Sequence, residues 1–308
     1  GQRSIVWVRI SKDAHEKGFK IKDFGEILLA KLHNDFSKII DRVQVKIYTA
    51  EKEIKPVLKE ALKSYDERDD RIGGMTDEDV DEYYSCTLCQ SYAPDHVCIV
   101  TPQRLGLCGA YTWLDCKASH QIDPHGPNEP VEKGECLDAD LGQWKNINNY
   151  VAVKSNGNLK KFSAYSMLVD PMTSCGCFEC ITGLVPEANG VFVVDRDYQG
   201  LTPAGMKFST LAGQIGGGIQ TPGFIGMGRI YISSPKFISA DGGHTRIVWM
   251  NKELKDIVAE RLQKQLEKMG ESELFDKIAT EEDADEPAAL VEYLTKVSHP
   301  ALEMDPML

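Results

Sequence analysis

SCTLCQSYAPDHVC, residues 85–98, places three cysteines in one short run, and a fourth follows in GLCG, residues 106–109. From Cys86 to Cys180, glycine, proline and cysteine interrupt the chain so often that regular hydrophobic periodicity is sparse. Such a stretch cannot depend on long amphipathic elements, and a metal centre bound by thiolates would supply part of its ordering free energy. We therefore predict a metal-cluster domain with an irregular α+β fold.

The four cysteines, Cys86, Cys89, Cys98 and Cys108, have the spacing C-x2-C-x8-C-x9-C. The close first pair lets two sulfurs reach one centre from a single turn, and the longer intervals bring the other two around it. Four thiolates suit either tetrahedral zinc or a cubane iron–sulfur cluster. The spacing alone does not choose between these two metal sites.

Cys175-Gly176-Cys177 forms a second constellation. Its two thiolates and the backbone nitrogens of Gly176 and Cys177 can supply four coplanar donors through fused six-, five- and five-membered chelate rings. Deprotonated amide nitrogens favour a square-planar d8 ion, so Ni(II) is expected, with Cu(II) as its main rival. Alone, the tripeptide indicates only a turn with two buried thiols. It becomes evidence for a nickel site because the same chain also contains the four-cysteine run.

Other polar and sulfur-bearing residues near these motifs are predicted not to be ligands. Cys180, which completes C-G-C-F-E-C, is expected to have a structural or supporting role, and isolated cysteines are usually small buried thiols. The remaining residues set aside in this way are Cys116, Cys136, His120, His125, Asp95, His96 and Lys117.

Composition excludes several classes of protein. The net charge is −12, whereas nucleic-acid binding needs clustered lysine and arginine. No run of eighteen apolar residues occurs, so no membrane span is expected. The 9 cysteines cannot all pair, and bunched cysteines without signs of secretion indicate metal ligands in a cytoplasmic protein.

Hydrophobic periodicity predicts two regions: a short β-α-β-α unit in residues 1–72 and a larger α+β domain in residues 73–308. The predicted elements are strands 4–10, 43–49, 191–195 and 230–233 and helices 23–34, 51–64, 251–269 and 285–297. The polar stretch 65–79 is predicted to be a linker. Because the opening GQRSIVWVRI has neither Met nor a signal sequence, the chain is interpreted as a fragment of a longer protein.

Together the two constellations resemble acetyl-CoA synthase, the carbon–carbon bond-forming subunit of the carbon monoxide dehydrogenase/acetyl-CoA synthase system. The resemblance is carried by SCTLCQSYAPDHVC (85–98), GLCG (106–109) and PMTSCGCFECI (171–181). It covers the whole chain, as the C-terminal part of the bacterial subunit. It implies that residues 1–72 end the middle, coenzyme A-side domain and that residues 73–308 form the C-terminal, cluster-bearing domain.

The resemblance implies a 4Fe-4S cubane bridged to a binuclear nickel site. The cubane ligands would be Cys86, Cys89, Cys98 and Cys108. Cys175 and Cys177, with the amides of Gly176 and Cys177, would hold the distal nickel. The sulfurs of Cys89, Cys175 and Cys177 would bridge to the proximal, catalytic nickel, a position that Cu or Zn can also occupy. Three sulfur ligands leave that metal an open position.

The implied reaction, that of anaerobic carbon fixation, joins a methyl group, carbon monoxide and coenzyme A into acetyl-CoA. The implied partners are a corrinoid iron–sulfur protein, coenzyme A, and carbon monoxide dehydrogenase docked through an N-terminal domain that this sequence lacks. We hypothesise that Tyr92 borders the open position. We also hypothesise that the glycine-rich segment 213–228 packs against the metal centre or donates amide hydrogen bonds to sulfur. Arg3, Arg9 and Arg42 are interpreted as surface charges rather than coenzyme A contacts.

Two other functions stay open. One is a non-catalytic iron–sulfur electron carrier that uses Cys86–Cys108 alone, and the other is a zinc-stabilised binding module. Metal content separates the three: the synthase needs nickel with iron, the carrier iron without nickel, and the module zinc.

Overall fold

The computed structural model describes residues 10–35, 46–91, 93–284 and 286–308 of the chain. The architecture is α+β, which confirms the predicted fold class. The predicted strand 4–10 lies outside the described residues except for its last position, and so does the first part of strand 43–49. Residues 46–49 form no strand. The predicted β-α-β-α unit is therefore represented here by its helices.

Helices occupy the described N-terminal part and return near the C-terminus. The α-helices are α1 (Lys12–Glu16), α2 (Phe24–Asp35), α3 (Glu51–Asp70), α4 (Trp113–Ile122), α5 (Lys145–Lys154), α6 (Phe208–Ile215), α7 (Lys252–Met269), α8 (Leu274–Lys277) and α9 (Pro287–Lys296). Short 3-10 turns lie at Ile21–Asp23, Asp77–Asp79, Leu88–Ser91, Pro186–Ala188, Arg229–Ser233, Ser239–Asp241, Gly243–Arg246 and Pro300–Glu303. The predicted helices 23–34, 251–269 and 285–297 correspond to α2, α7 and α9, so these predictions are confirmed.

The strands form three small sheets. They are β1 (Glu82–Cys86), β2 (Cys98–Val100), β3 (Pro130–Glu132), β4 (Cys136–Asp138), β5 (Gln143–Trp144), β6 (Cys180–Val185), β7 (Gly190–Asp195), β8 (Phe224–Met227) and β9 (Ile247–Met250). The sheet orders are β2-β1-β3, β4-β5 and β8-β6-β7-β9. The predicted strand 191–195 is confirmed as β7. β1 ends at Cys86, β2 begins at Cys98, and β6 begins at Cys180, three positions after Cys177.

Helix α7 shows how the sequence pattern builds the apolar core against the four-stranded sheet β8-β6-β7-β9. Its buried leucines and valine recur every four residues, at Leu254, Val258, Leu262 and Leu266. Burying each such side chain contributes about 1.5–3 kcal/mol. This face packs with β6–β9 into one apolar cluster. The sheet that follows the Cys-Gly-Cys turn is therefore packed against a buried core.

Two predictions of local structure are wrong. The predicted strand 230–233 lies in the 3-10 turn Arg229–Ser233. There the backbone N–H of Arg229 donates to Glu179 Oε2 at 2.8 Å, and the Arg229 guanidinium contacts Asp195 at 2.6 Å. These tertiary contacts override the β propensity of the apolar run.

The predicted linker 65–79 is also wrong in its first part, because α3 continues to Asp70. The end of this helix is tied to the rest of the chain. Arg261 of α7 contacts Asp70 at 3.0 Å, and Arg68 donates to loop carbonyls beyond β2. The polar residues of this stretch form tertiary ion pairs rather than a free connection.

Candidate metal centre

Strand pairing brings two of the predicted cluster cysteines together. In the antiparallel pair β1–β2, Cys86 is directly opposite Cys98. Directly opposed residues have Cβ atoms only about 4.5–5.5 Å apart and point to the same face. Both side chains are buried. The eight residues between Cys89 and Cys98 thus belong to the connection that leads the chain from β1 back along it as β2.

Cys89 and Cys108 approach from turns beside this pair. Cys89 lies in the 3-10 turn Leu88–Ser91, which follows β1 almost immediately. Cys108 lies in a tight turn closed by the bond from Gly109 N–H to the carbonyl oxygen of Gly106, at 2.9 Å. Both cysteine residues are half-buried.

Arg68 fixes the turn that carries Cys108. Its Nη1 donates to the carbonyl oxygens of Gly109 at 2.9 Å and of Ala110 at 3.3 Å. The buried Asp69 holds the same guanidinium at 2.6 Å. The last turn of α3 therefore helps to position a predicted cluster ligand.

Backbone N–H groups already point at several of these sulfurs. Leu88 N–H faces the sulfur of Cys86, Leu107 N–H that of Cys98, and Ala110 N–H that of Cys108, and each of these contacts lowers the thiol pKa. Hydrogen bonds to sulfur favour the thiolate form and tune cluster potentials. The backbone around the first constellation is thus arranged to receive thiolates.

Burial opposes ionisation of these thiols. It raises the pKa of Cys86 to about 11 and that of Cys98 well above its usual value, and neighbouring thiols add to both shifts. Thiolates clustered in an apolar site need a positive charge among them. Metal ions meet that need and displace the thiol protons.

The Cys-Gly-Cys turn is held by the glycine-rich segment 213–228. The N–H of Gly218 donates to the carbonyl oxygen of Ser174 at 2.9 Å, and the N–H of Gly226 donates to its Oγ at 3.1 Å. Gly216 lies against the backbone of Gly176, which has φ +102°. The predicted packing of this segment is therefore seen against the Cys-Gly-Cys backbone. Only glycine adopts such a φ without strain.

The two constellations meet at three sulfurs. The Sγ atoms of Cys89, Cys175 and Cys177 all lie within 4.8 Å of one another. The N–H of Cys177 donates to the sulfur of Cys175 at 3.3 Å. Cys89 comes from the first constellation and the other two from the second, so residues about ninety positions apart in sequence share one site. The donor set is two thiolates with adjacent peptide nitrogens and one further thiolate, which suits a soft or borderline metal.

Several polar residues that the sequence did not single out surround this site. Arg196 donates from Nη1 to the carbonyl oxygens of Gly176 at 3.1 Å and Phe178 at 2.8 Å. Glu179 is buried, and its carboxylate accepts the N–H of Arg229. A single arginine after a strand, or a single glutamate before one, has no sequence signature, so the fold alone shows these contacts.

Residues predicted to be non-ligands have clear positions. His96 is buried and bonds Thr173 Oγ1 at 3.0 Å, and burial lowers its pKa to about 4. Cys180 is buried on β6 with its sulfur 4.0 Å from Asp195 Oδ2, which agrees with a supporting role. Cys116 is buried as expected, but Cys136 is exposed, so that prediction is wrong.

The other residues set aside also have structural roles or lie elsewhere. Asp95 accepts a bond from Asn156, Lys117 lies over the ring of Trp113, and His120 contacts the carbonyl oxygen of Asn128. Four residues of the functional predictions lie outside the described residues: Tyr92, Arg3, Arg9 and Arg42.

Comparison with known families identifies the group to which this chain is related. The model described as the C-terminal region of the ACS/CODH beta subunit matches residues 65–308, which is most of the chain. The chain belongs to the ACS/CODH beta subunit family. A second model, the CO dehydrogenase/acetyl-CoA synthase complex beta subunit, matches residues 1–54. The family suggested by the cysteine motifs is therefore confirmed.

Relatives in this family share extensive sequence with the chain. The carbon monoxide dehydrogenase/acetyl-CoA synthase subunit alpha of Moorella thermoacetica is 53% identical over 309 residues, covering 100% of this chain and 42% of that protein. The acetyl-CoA decarbonylase/synthase complex subunit beta of Methanopyrus kandleri is 45% identical over 302 residues, covering 98% of this chain and 63% of that protein. The chain spans less than two thirds of the length of each.

A solved structure of the C-terminal domain of an acetyl-coenzyme A synthase alpha subunit is also similar. It is 50% identical, covers 44% of this chain and 100% of its own, and has a TM-score of 0.42. Among the described helices of this ACS/CODH beta subunit family member, none has both the length and the apolar character to cross a bilayer.

Proposed function

We propose that this chain carries a nickel–iron–sulfur centre at which a methyl group, carbon monoxide and coenzyme A give acetyl-CoA. The proposal depends on one observation, that the sulfur of Cys89 lies within 4.8 Å of the sulfurs of Cys175 and Cys177. The relatives are named carbon monoxide dehydrogenase/acetyl-CoA synthase and acetyl-CoA decarbonylase/synthase subunits. Because the chain spans only part of their length, the activity, substrates and partners of the whole protein belong to this proposal.

Cys86, Cys89, Cys98 and Cys108 are proposed to hold the 4Fe-4S cubane. The opposed positions of Cys86 and Cys98 and the N–H groups aimed at three of the sulfurs support this assignment. Cubane ligands stand around a body of eight atoms, so their sulfurs are farther apart than those around one ion. Cys89 then has a second role, because its sulfur also faces the Cys-Gly-Cys turn.

Cys175 and Cys177, with the peptide nitrogens of Gly176 and Cys177, are proposed to hold the distal nickel. The turn leaves the space beyond Gly176 open, since no atom lies within 4 Å of where a Cβ would be. The three sulfurs together are proposed to hold the proximal nickel, which keeps a position for substrate. When bound there, the centre would supply the joining of methyl and carbonyl carbons and transfer to the coenzyme A thiol.

The chain's own residues contribute geometry and an enclosed environment. Phe178 is fully buried directly after Cys177 and packs on Gly226. Cys175 is also buried, so water reaches the site mainly from the side of Cys89 and Cys177. Excluding water strengthens every electrostatic interaction in such a pocket. Carbon monoxide dehydrogenase, a corrinoid protein and coenzyme A are proposed as partners. Tyr92 is proposed to border the open position of the proximal metal.

The electron-carrier and zinc-module alternatives account for fewer observations. A carrier gives Cys175 and Cys177 no reason to approach Cys89. A zinc module needs four sulfurs about 4 Å apart, as ligands at about 2.3 Å from one ion must be. Among the described residues, only the group Cys89, Cys175 and Cys177 closes to such distances. The first constellation is more widely spaced, which favours a cluster.

The test is anaerobic reconstitution with iron, sulfide and nickel, followed by metal analysis and assay. We expect two nickels for every four irons, a paramagnetic state that appears only with carbon monoxide, and acetyl transfer to coenzyme A. The matched control is Cys136→Ala, because Cys136 is an exposed cysteine away from the site and should change nothing. Iron without nickel, or zinc as the tightly held metal in place of both, would refute the proposal.

A further inference from the structure

Arg196 has a position that its sequence context does not announce. It follows β7 directly, and its N–H donates to the carbonyl oxygen of Glu179 at 3.0 Å. Cys180 pairs with Asp195 across β6 and β7. Arg196, the residue after β7, therefore lies beside the end of the Cys-Gly-Cys turn. The pairing of these two strands thus places Arg196 next to the proposed nickel site.

The guanidinium of Arg196 binds the turn through two carbonyls. Nη1 donates to the oxygens of Gly176 at 3.1 Å and Phe178 at 2.8 Å, while the group lies 5.8 Å from the centroid of the Phe208 ring. Arginine stays protonated in proteins. A permanent positive charge thus contacts the turn through two of its carbonyl oxygens.

The carbonyl of Gly176 belongs to the same peptide unit as the nitrogen of Cys177. In the proposed chelate this nitrogen would give up its proton to solvent and would bind nickel as an amidate. Peptide resonance would share the resulting negative charge between nitrogen and oxygen. In the structure the N–H of this unit donates to the sulfur of Cys175, while its oxygen accepts from Arg196. Both ends of the unit are therefore already polarised in the direction that metal binding requires.

Charge balance makes the contact significant. Two thiolates and two amidates around Ni(II) carry a net charge of about −2 in a largely buried site. Arg196 touches the peptide unit on which part of the charge resides.

We propose that Arg196 is a charge-balancing and positioning residue for the distal nickel, acting through the carbonyl oxygen of the Gly176–Cys177 peptide. This inference rests on the proposed function, since it requires nickel in the Cys-Gly-Cys chelate. Withdrawal of charge towards oxygen stabilises the anionic ligand and at the same time weakens the donor strength of its nitrogen. A residue that only stiffens the turn would not produce the second effect.

The experiment compares Arg196→Met and Arg196→Lys with the unmodified chain and with Arg246→Met. Arg246 is the matched control because its guanidinium also donates to two backbone carbonyl oxygens, those of Asn189 at 3.0 Å and Asp305 at 2.8 Å, which belong to neither cysteine motif. Each chain is loaded anaerobically. Nickel transfer to nitrilotriacetate is then measured at one fixed pH, together with the ligand-field absorption band of square-planar nickel. Iron content and the circular dichroism spectrum report whether each variant is folded.

Arg196→Met is expected to weaken nickel retention about 10–100-fold, the usual effect of removing an outer partner of a metal ligand. Its ligand-field band is expected to move to higher energy, because the amidate nitrogen becomes a stronger donor. Arg196→Lys should recover part of both properties. Arg246→Met should leave the nickel band in place.

Two results would overturn the inference while leaving the proposed function intact. One is nickel retention in Arg196→Met equal to that of the unmodified chain. The other is weaker retention with an unmoved band, as expected for a structural role alone. If the unmodified chain itself shows no square-planar nickel band, the proposed function fails, and the inference fails with it.

Discussion

The two halves of the cysteine site are held by different kinds of structure. Cys86 and Cys98 lie on paired strands, where a ladder of backbone bonds fixes their register. Cys175 and Cys177 lie on a turn held by single contacts, from Gly218 and from Arg196 among others. A ladder tolerates the loss of one contact better than a turn does. We therefore expect the nickel half to respond to single substitutions that leave the iron half intact.

Removing one thiolate from each half gives the largest effect. Cys175→Ala should reduce bound nickel and acetyl transfer to background while bound iron stays at the unmodified level, because the strand-borne cysteines remain. Cys98→Ala should lower bound iron, since it deletes a proposed cubane ligand that is buried on β2. Metal analysis of anaerobically loaded protein measures both. Equal loss of iron in the two variants would show that the halves are not separable.

Gly226→Val tests the support of the nickel half. A Cβ at Gly226 would collide with the ring of Phe178, and the Gly226 N–H bonds Ser174. Overpacking of this kind costs about 1–3 kcal/mol, and the displaced turn should release nickel while iron is retained. Urea unfolding and metal analysis measure the two effects.

The control for Gly226→Val is Gly213→Ala in α6. No atom lies within 4 Å of where its Cβ would be, and alanine in a helix is more stable than glycine by about 0.5–1 kcal/mol. This variant should bind both metals and unfold at slightly higher urea. If both glycine variants retained nickel equally, the glycine-rich segment would have no special role in holding the turn.

Acid sensitivity separates the framework from the metal site. His299 is buried with Nε2 3.1 Å from the carbonyl oxygen of Ile247, and burial lowers its pKa to about 4. The unfolded chain binds this proton more tightly than the folded chain. Its contribution to stability is therefore complete above pH of about 6.5 and is lost as pH falls towards 4, by up to about 3 kcal/mol.

His299→Gln should flatten the fall in unfolding free energy between pH of about 6.5 and 4, which urea titrations at several pH values measure. Nickel and iron contents at neutral pH should stay unchanged, because His299 precedes the 3-10 turn Pro300–Glu303 and contacts β9 rather than the cysteines. A variant with the same acid slope as the unmodified chain would show that another group controls acid unfolding.

The smallest effect is expected at the tie between α3 and α7. Arg261 contacts Asp70 at 3.0 Å, and the Asp70 side chain is 71% exposed. Exposed ion pairs contribute about 0–1 kcal/mol. Arg261→Ala should therefore lower the free energy of unfolding, measured in urea, by less than about 1 kcal/mol and leave both metals bound. A loss of iron would mean that the end of α3 controls the cluster loop more strongly than its contacts indicate.

Sequence patterns predicted what depends on local spacing. The periodic apolar positions of α7 and the first-turn proline of α9 predicted those helices, and the pairing of Cys86 with Cys89 indicated a shared centre. Spacing did not predict that 230–233 would be a 3-10 turn, because Glu179 and Asp195 fix that segment from a distance.

The site itself was only partly readable from the sequence. Cysteines have strong chemical signatures, so both constellations were recognised, but their meeting at Cys89 depends on the folding of some ninety intervening residues. Arg196 and Glu179 act through backbone groups of other residues. Contacts of that type leave no motif, because any loop carbonyl or N–H can serve.

Nickel K-edge X-ray absorption of the anaerobically loaded chain tests the shared site most directly. We predict a square-planar nickel with mixed sulfur and nitrogen ligands, together with a second metal at bridging distance, and loss of this signal in Cys175→Ala. Nickel surrounded only by oxygen and nitrogen atoms, with no neighbouring metal, would contradict a metal shared by Cys89, Cys175 and Cys177.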